Sequence, residues 1–151
     1  MPISKNYINR DIDLCILDTS DAPGLEPVDV GILNSGSVIA GPYKIAQKFV
    51  KFLLTELGSV LVEPQYGTDF IKLLMSGQIQ NEAELKLRFY KEVDFILNYI
   101  ANANSDAPAD ETLLAADLEG FSVLGDYVNM RIQFTFANQS TILAPIRIST
   151  I

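Results

Sequence analysis

Two carboxylates bracket a turn in VEPQYGTDFIKLL, residues 62 to 74: Glu63 stands before Pro64, and Asp69 follows Gly67 and Thr68. A pair of acids set several ångströms apart around a bond is the minimum for glycoside hydrolysis, one donating a proton and the other acting as base or nucleophile. Little other chemistry is open to the chain. It has no His, which removes imidazole acid–base steps and every Ser-His or Cys-His nucleophile. The single Cys15 cannot close an internal disulfide, and no Cys/His spacing suits zinc. SDAPADE lacks the glycine and the spacing of a calcium loop, and GILNSG and LNSGSV are too sparse for a phosphate loop or dinucleotide fingerprint. No cofactor or metal is expected. The two acids also have a structural use, since Asp69 falls in the first turn of a helix, where a negative charge complements the dipole. Neither acid is set among aromatics that could raise its pKa, and there is no Trp to stack on a sugar. The chain does not read as an enzyme.

The bulk properties narrow the class further. At 151 residues and 48% hydrophobic content the chain suffices for one domain with a single core. Nineteen acids against eleven bases give a net charge of −8, which excludes a phosphate-backbone binder, so no nucleic acid is expected as a partner. MPISKNYINRDIDL has no signal-peptide layout, and no apolar run approaches the ~20 residues of a membrane span. A soluble product made in the cytoplasm is expected.

The elements that must position the turn follow from periodicity. Residues 1–41 read as an extension of short strands and turns, with alternation at Ile12, Leu14 and Ile16, Pro23-Gly24 and Pro27, then VDVGIL, NSGS and VIAG. Residues 42–151 read as the main domain. Pro42 opens a helix whose stripe is Ile45, Phe49, Leu53 and Leu57, flanked by Ala46, Val50 and Leu54, with Gly58 as the stop. Its outer face is expected to carry Lys44, Lys48 and Lys51, a cationic stripe that either only solubilises or docks an acidic partner. SVLVE reads as a short strand, and Thr68 is placed to cap a brief helix running to Gly77. Asn81 with Glu84 resembles a capping box for a longer helix with the stripe Phe89, Val93, Ile96, Leu97 and Ile100; Glu82–Lys86 and Glu84–Arg88 pair on its wet side.

The last third is a β pattern. TLLAADLEGFSVL leads through Gly125-Asp126 into YVNMRIQFTF, where Val128, Met130, Ile132, Phe134 and Phe136 share one face. TILAPIRIST then carries Ile142, Ala144, Ile146 and Ile148 on one side and Leu143, Pro145 and Arg147 on the other. Pro145 cannot donate to a ladder, so this last strand is expected at a sheet edge. Such an edge is either blunted by its proline or used to accept a strand from a partner. The fold class is therefore α+β, helices packed on a mainly antiparallel sheet with an N-terminal β-rich extension.

FLLTELGSVLVEPQYGTDFIKLL resembles the baseplate wedge family of contractile-tailed phages, the sheath-initiating and sometimes lysozyme-like component also present in type VI secretion and tailocin baseplates. The resemblance rests on Leu54, Thr55, Gly58 and Ser59, then Val62, Pro64, Tyr66, Gly67, Asp69 and Phe70, and extends in coarser form over about residues 42 to 150. Relatives carry a Glu-Pro-Arg triplet after the long helix; this chain has NYIANANSDAPADE there, so that docking contact does not transfer. The resemblance implies a non-enzymatic virion component of the tail baseplate, assembled in the host cytoplasm, in several copies around the tail axis. Its implied partners are the tail sheath protein and other baseplate wedge and hub or tube proteins, with no membrane. The implied mechanism is augmentation of the strand at about 141 to 150 by a sheath arm. Deleting that strand is expected to leave a soluble domain that no longer supports sheath growth. The Pro64–Gly67 corner, with Tyr66 packed on its own helix or presented as an anchor, is a second contact. Two alternatives stand beside this reading: a glycan-cleaving baseplate enzyme using Glu63 and Asp69, and a wedge adaptor that binds through the lysine stripe without touching sheath.

Overall fold

The computed structural model describes residues 13–14, 28–29, 37–39, 41–103, 105–124 and 127–149. Cys15, the Gly125-Asp126 connection and the alternation and turns expected over the first forty residues lie largely outside that set. Three short strands are described there, β1 (Asp13–Leu14), β2 (Val28–Asp29) and β3 (Ser37–Ile39), forming an antiparallel sheet in the order β1-β3-β2. The chain continues through α1 (Pro42–Leu54), α2 (Phe70–Met75), α3 (Glu82–Ala103), β4 (Leu113–Leu124), β5 (Tyr127–Phe136) and β6 (Thr141–Ser149). The last three strands form a second antiparallel sheet in the order β4-β5-β6, and the architecture is α+β.

α1 starts where Gly41, at φ 68°, turns the chain into Pro42, whose missing N–H costs nothing in the first turn. Its face Ile45, Ala46, Phe49, Val50, Phe52 and Leu53 is fully buried. The helix ends at Leu54, short of the Gly58 stop that its stripe suggests. Thr55 leaves the helix in an extended conformation, with its Oγ1 donating to the Lys51 carbonyl at 2.6 Å. Glu56 then pairs in parallel with Thr68, and the Leu57 N–H donates to the Thr68 carbonyl at 3.1 Å. Those bonds replace a last helical turn and send Leu57 to the surface instead of the core.

SVLVE is not a strand. Residues 59 to 63 form consecutive turns, with the Glu63 N–H donating to the Val60 carbonyl, and no strand among the described residues pairs with them. β-branched composition reflects a fit to a half-buried pleated surface, not an intrinsic backbone preference, and no such surface is offered here. Leu61 and Val62 instead stand 93% and 95% exposed.

α2 ends in a complete Schellman motif: Gly77 at φ 72°, its N–H donating to Leu74, and the Gln78 N–H donating to Leu73. α3 begins with the expected cap, since the Glu84 N–H donates to Asn81 Oδ1 at 2.9 Å. The reciprocal bond is displaced by one residue, the Gln80 N–H donating to Glu84 Oε2 at 2.8 Å, which commits Glu84 to the cap. Glu82 and Lys86 make the expected i,i+4 pair at 3.2 Å.

One core holds these elements together. Leu85, Phe89, Val93, Ile96 and Ile100 of α3 and the buried face of α1 pack with Val128, Met130, Ile132, Phe134 and Phe136 of β5. Phe49 meets Phe134 edge-on at 5.2 Å and Phe89 at 6.2 Å, joining helices and sheet through three rings. Each such buried ring contributes about 1.5–3 kcal/mol from its removal from water, with edge contacts adding to it.

Candidate functional site

β6 is an edge strand, as its proline requires. The Phe136 N–H donates to the Ser140 carbonyl at 3.0 Å, closing a turn in which Gln139 takes φ 68° and Asn138 Oδ1 accepts from Ser140. Pairs in an antiparallel ladder alternate between bonded and non-bonded. That bond therefore makes Phe134–Ile142, Ile132–Ala144, Met130–Ile146 and Val128–Ile148 the bonded pairs. The backbone groups of Thr141, Leu143, Pro145, Arg147 and Ser149 consequently face away from β5. Pro145, opposite Arg131, leaves the β5–β6 ladder complete.

The side chains divide in the same way. Ile142, Ala144, Ile146 and Ile148 are buried on the helix side, and they form the base of the strand, with their backbone bonds directed to β5. A strand laid along β6 meets the backbone of Thr141, Leu143, Pro145, Arg147 and Ser149. Of the residues singled out from the sequence, Leu143, Pro145 and Arg147 are placed for contact.

The opposite edge is interrupted at Leu118. The Leu118 N–H, which points outward from β4, donates to the Tyr90 hydroxyl of α3 at 3.2 Å, and that hydroxyl lies 3.4 Å from Asp117 Oδ1. A register shift between Leu118 and Gly120 breaks the ladder beside it. Bulges and covering side chains are the usual means of blunting an edge. No signal in the sequence links Tyr90 to Leu118, and a bulge leaves no mark in an alternating pattern.

The Pro64–Gly67 corner is tied to the end of α1. Gly67 has φ 106°, and a Cβ there would lie 2.5 Å from the Thr55 carbonyl oxygen. The Thr68 N–H donates to that same oxygen at 2.9 Å. Thr68 Oγ1 donates to the Leu53 carbonyl at 2.8 Å and accepts from the Phe70 N–H at 3.2 Å. One buried hydroxyl thus satisfies an orphan carbonyl of α1 and an orphan amide of α2. Tyr66 is half-buried and packs on Phe52 at 4.5 Å and Tyr99 at 5.7 Å, part of a cluster completed by Phe95. It serves the core side of the corner, and the presented side chains are Leu61 and Val62.

The acids of the corner are surface groups. Glu63 is exposed and accepts from the Tyr99 hydroxyl at 3.0 and 3.2 Å, which braces the loop against α3. Burial pushes the Tyr99 phenol above its ordinary pKa, and the bond to Glu63 and that carboxylate's charge add to the effect. Asp69 is exposed at the start of α2. Neither carboxylate has the apolar enclosure that prepares a general acid. Among the described residues the perturbed carboxylic acid is Glu92, raised by its own burial, with Lys91 opposing the shift and Asp69 adding to it.

The lysine stripe is not a solvent face. Lys44 is 2% exposed and pairs with buried Glu111 at 3.8 Å. Lys48 and Lys51 are half-buried, and both are engaged. Four-residue charge spacing suggests a wet face, but Lys44, at the start of α1, is buried beside the equally buried Glu111. Among the described residues no group of three His, Cys, Asp or Glu side chains could hold a metal ion, and no helix is long and apolar enough to cross a membrane. A small cavity of about 140 Å³ lies between the end of α3 and the start of β4, lined by Ile100, Ala101, Ala107 and Thr112 among others. No protein-family model, curated protein or solved structure matches the chain.

Proposed function

We propose that the chain is a structural, non-enzymatic component of a contractile phage tail baseplate, linking the tube-end baseplate to the sheath and initiating sheath assembly by β-strand augmentation on β6. In this reading it is a virion protein assembled in the host cytoplasm, present in several copies around the tail axis beside wedge and hub or tube subunits. The observation that carries it is the unequal treatment of the two sheet edges: β4 is bulged and stopped by Tyr90, whereas β6 turns the backbone of five residues outward. An added strand takes its affinity from such backbone groups and its register from alternate side chains. The resemblance of the stretch around Pro64–Gly67 to the wedge family supplies the partner, and the close approach at Gly67 gives that motif a physical reason to hold a glycine.

Deleting the strand is a poor test, because Ile142, Ala144, Ile146 and Ile148 belong to the core and their loss would expose it. Leu143→Pro is better suited, since it removes an outward N–H and spares the bonds to β5. Tails built with a folded Leu143→Pro chain are expected to carry complete baseplates without sheath. Sheaths of normal length on such tails would exclude the reading.

A second reading has one observation in its favour. Leu61 and Val62 project from a braced loop, as contacts to a neighbouring wedge subunit would, and in this form the chain is an adaptor that does not touch sheath. Leu61→Ser with Val62→Ser then abolishes baseplate incorporation, while Leu143→Pro leaves sheath growth intact.

A further inference from the structure

The outer face of the β4-β5-β6 sheet is divided by charge. Asp117 and Glu119 lie on β4, while Arg131 and Arg147 lie on β5 and β6. Arg131 lies across β4: its Cδ comes within 3.8 Å of where a Cβ on Gly120 would be. Arg147 is accordingly the cation beside the open edge. Its guanidinium sits over the Tyr127 ring, 3.9 Å from the centroid, and no carboxylate among the described residues pairs with it. A guanidinium held on an aromatic face keeps its N–H donors in its own plane, free to take a carboxylate from the side.

The neighbours of Arg147 on that face set the rest of the pattern. Leu143 is an exposed aliphatic four residues away, and Pro145 lies between them without an N–H to give. A strand beside β6 would place its own residues opposite these three, on the same face and about 5 Å away. The residue opposite Pro145 receives no backbone bond to its carbonyl, so the pairing is carried by the positions on either side.

We propose that the open edge of β6 selects an extended segment of another protein that carries a carboxylate opposite Arg147 and, four residues away on the same face, an aliphatic side chain opposite Leu143. The proposal rests on the reading of β6 as a docking edge and names what that edge recognises. A second copy of this chain is a poor occupant. Every antiparallel pairing of β6 with itself that includes Pro145 loses bonds at both prolines, and β6 carries no acid to meet Arg147.

The test uses the full chain, labelled with nitrogen-15, and two terminally blocked nonapeptides. The first has outward-facing Thr, Glu, Thr, Leu, Thr alternating with valines; the second is identical except for Lys in place of Glu. The amide signals of Leu143, Arg147 and Ser149 are expected to shift on titration, with those of β4 unmoved. The Glu peptide is expected to bind about threefold or more tightly than the Lys peptide, and Arg147→Glu to reverse the order. Shifts at β6 with equal affinities, or with a preference that survives Arg147→Glu, would overturn the acidic specificity and leave the docking edge standing. No shift at β6 at millimolar concentration of either peptide would overturn both. Dimerisation of the unliganded chain in sedimentation, lost in Leu143→Pro, would make the occupant a second copy and also overturn the proposal.

Discussion

Replacing Gly67 by alanine tests the corner at its tightest point. At φ 106° an L-residue is strained, by about 1–3 kcal/mol. The new Cβ would also lie 2.5 Å from the Thr55 oxygen and 3.0 Å from the carbonyl carbon and oxygen of Glu56, all backbone atoms with no rotamer to change. The strand-like contact must open. That weakens the Thr68-to-Thr55 bond at 2.9 Å and the Leu57-to-Thr68 bond at 3.1 Å, each contributing roughly 1 kcal/mol. Strain and lost bonds together come to about 3–5 kcal/mol, a large share of the ~5–15 kcal/mol that such a domain holds in total. In urea, with a slope of about 2 kcal/mol per molar, the midpoint should fall by roughly 2 M. Gly58→Ala is the control: φ is 83°, but nothing lies within 4 Å of its Cβ, so only about 1 kcal/mol is expected. Equal midpoints for the two variants would show that the close approach to Thr55 and Glu56 has no energetic weight.

Thr68→Val keeps the shape but strands the Leu53 carbonyl and the Phe70 amide, and should cost about 2–3 kcal/mol in the same assay. Lys44→Met leaves Glu111 buried beside an apolar group and should cost about 3 kcal/mol, with much of it recovered in the double change Lys44→Met, Glu111→Leu. Glu92 holds its proton more tightly folded than unfolded, so its contribution is present below the ordinary glutamate pKa and is lost as pH rises through the higher folded value. Glu92→Gln should therefore raise the melting temperature at pH 7 while changing little at pH 3, measured by calorimetry.

How much of this was legible depends on how far apart the interacting residues are in the chain. The stripe of α1 and the alternation of β5 and β6 were readable because each repeats within a few residues and its environment is one continuous core. Pro145 announced the edge because a missing donor is a local property. The Asn81–Glu84 cap was readable for the same reason, and only the amide it serves had moved, to Gln80. The failures share a cause. Lys44 follows charge spacing, yet its environment is set by Glu111; Leu57 follows the helical stripe, yet Thr68 captures its amide. SVLVE has strand composition without a partner strand among the described residues, and the Phe52, Tyr66, Phe95 and Tyr99 cluster is assembled from three separate segments. At the β6 edge the sequence indicated the strand, and Pro145 belongs to the half of its residues that faces outward, the parity that the Phe136-to-Ser140 bond sets.

The Tyr90 hydroxyl on Leu118 bears on the stoichiometry of the docking proposed for β6. A sheet open at both sides has a valence of two, and copies of it can add end to end without limit, as in a fibre. In the proposed docking, blunting one side reduces the valence to one: each chain then accepts a single strand and the addition stops there. The number of strands captured is then set by the number of chains present, and a ring of such chains would count out its partners one for one.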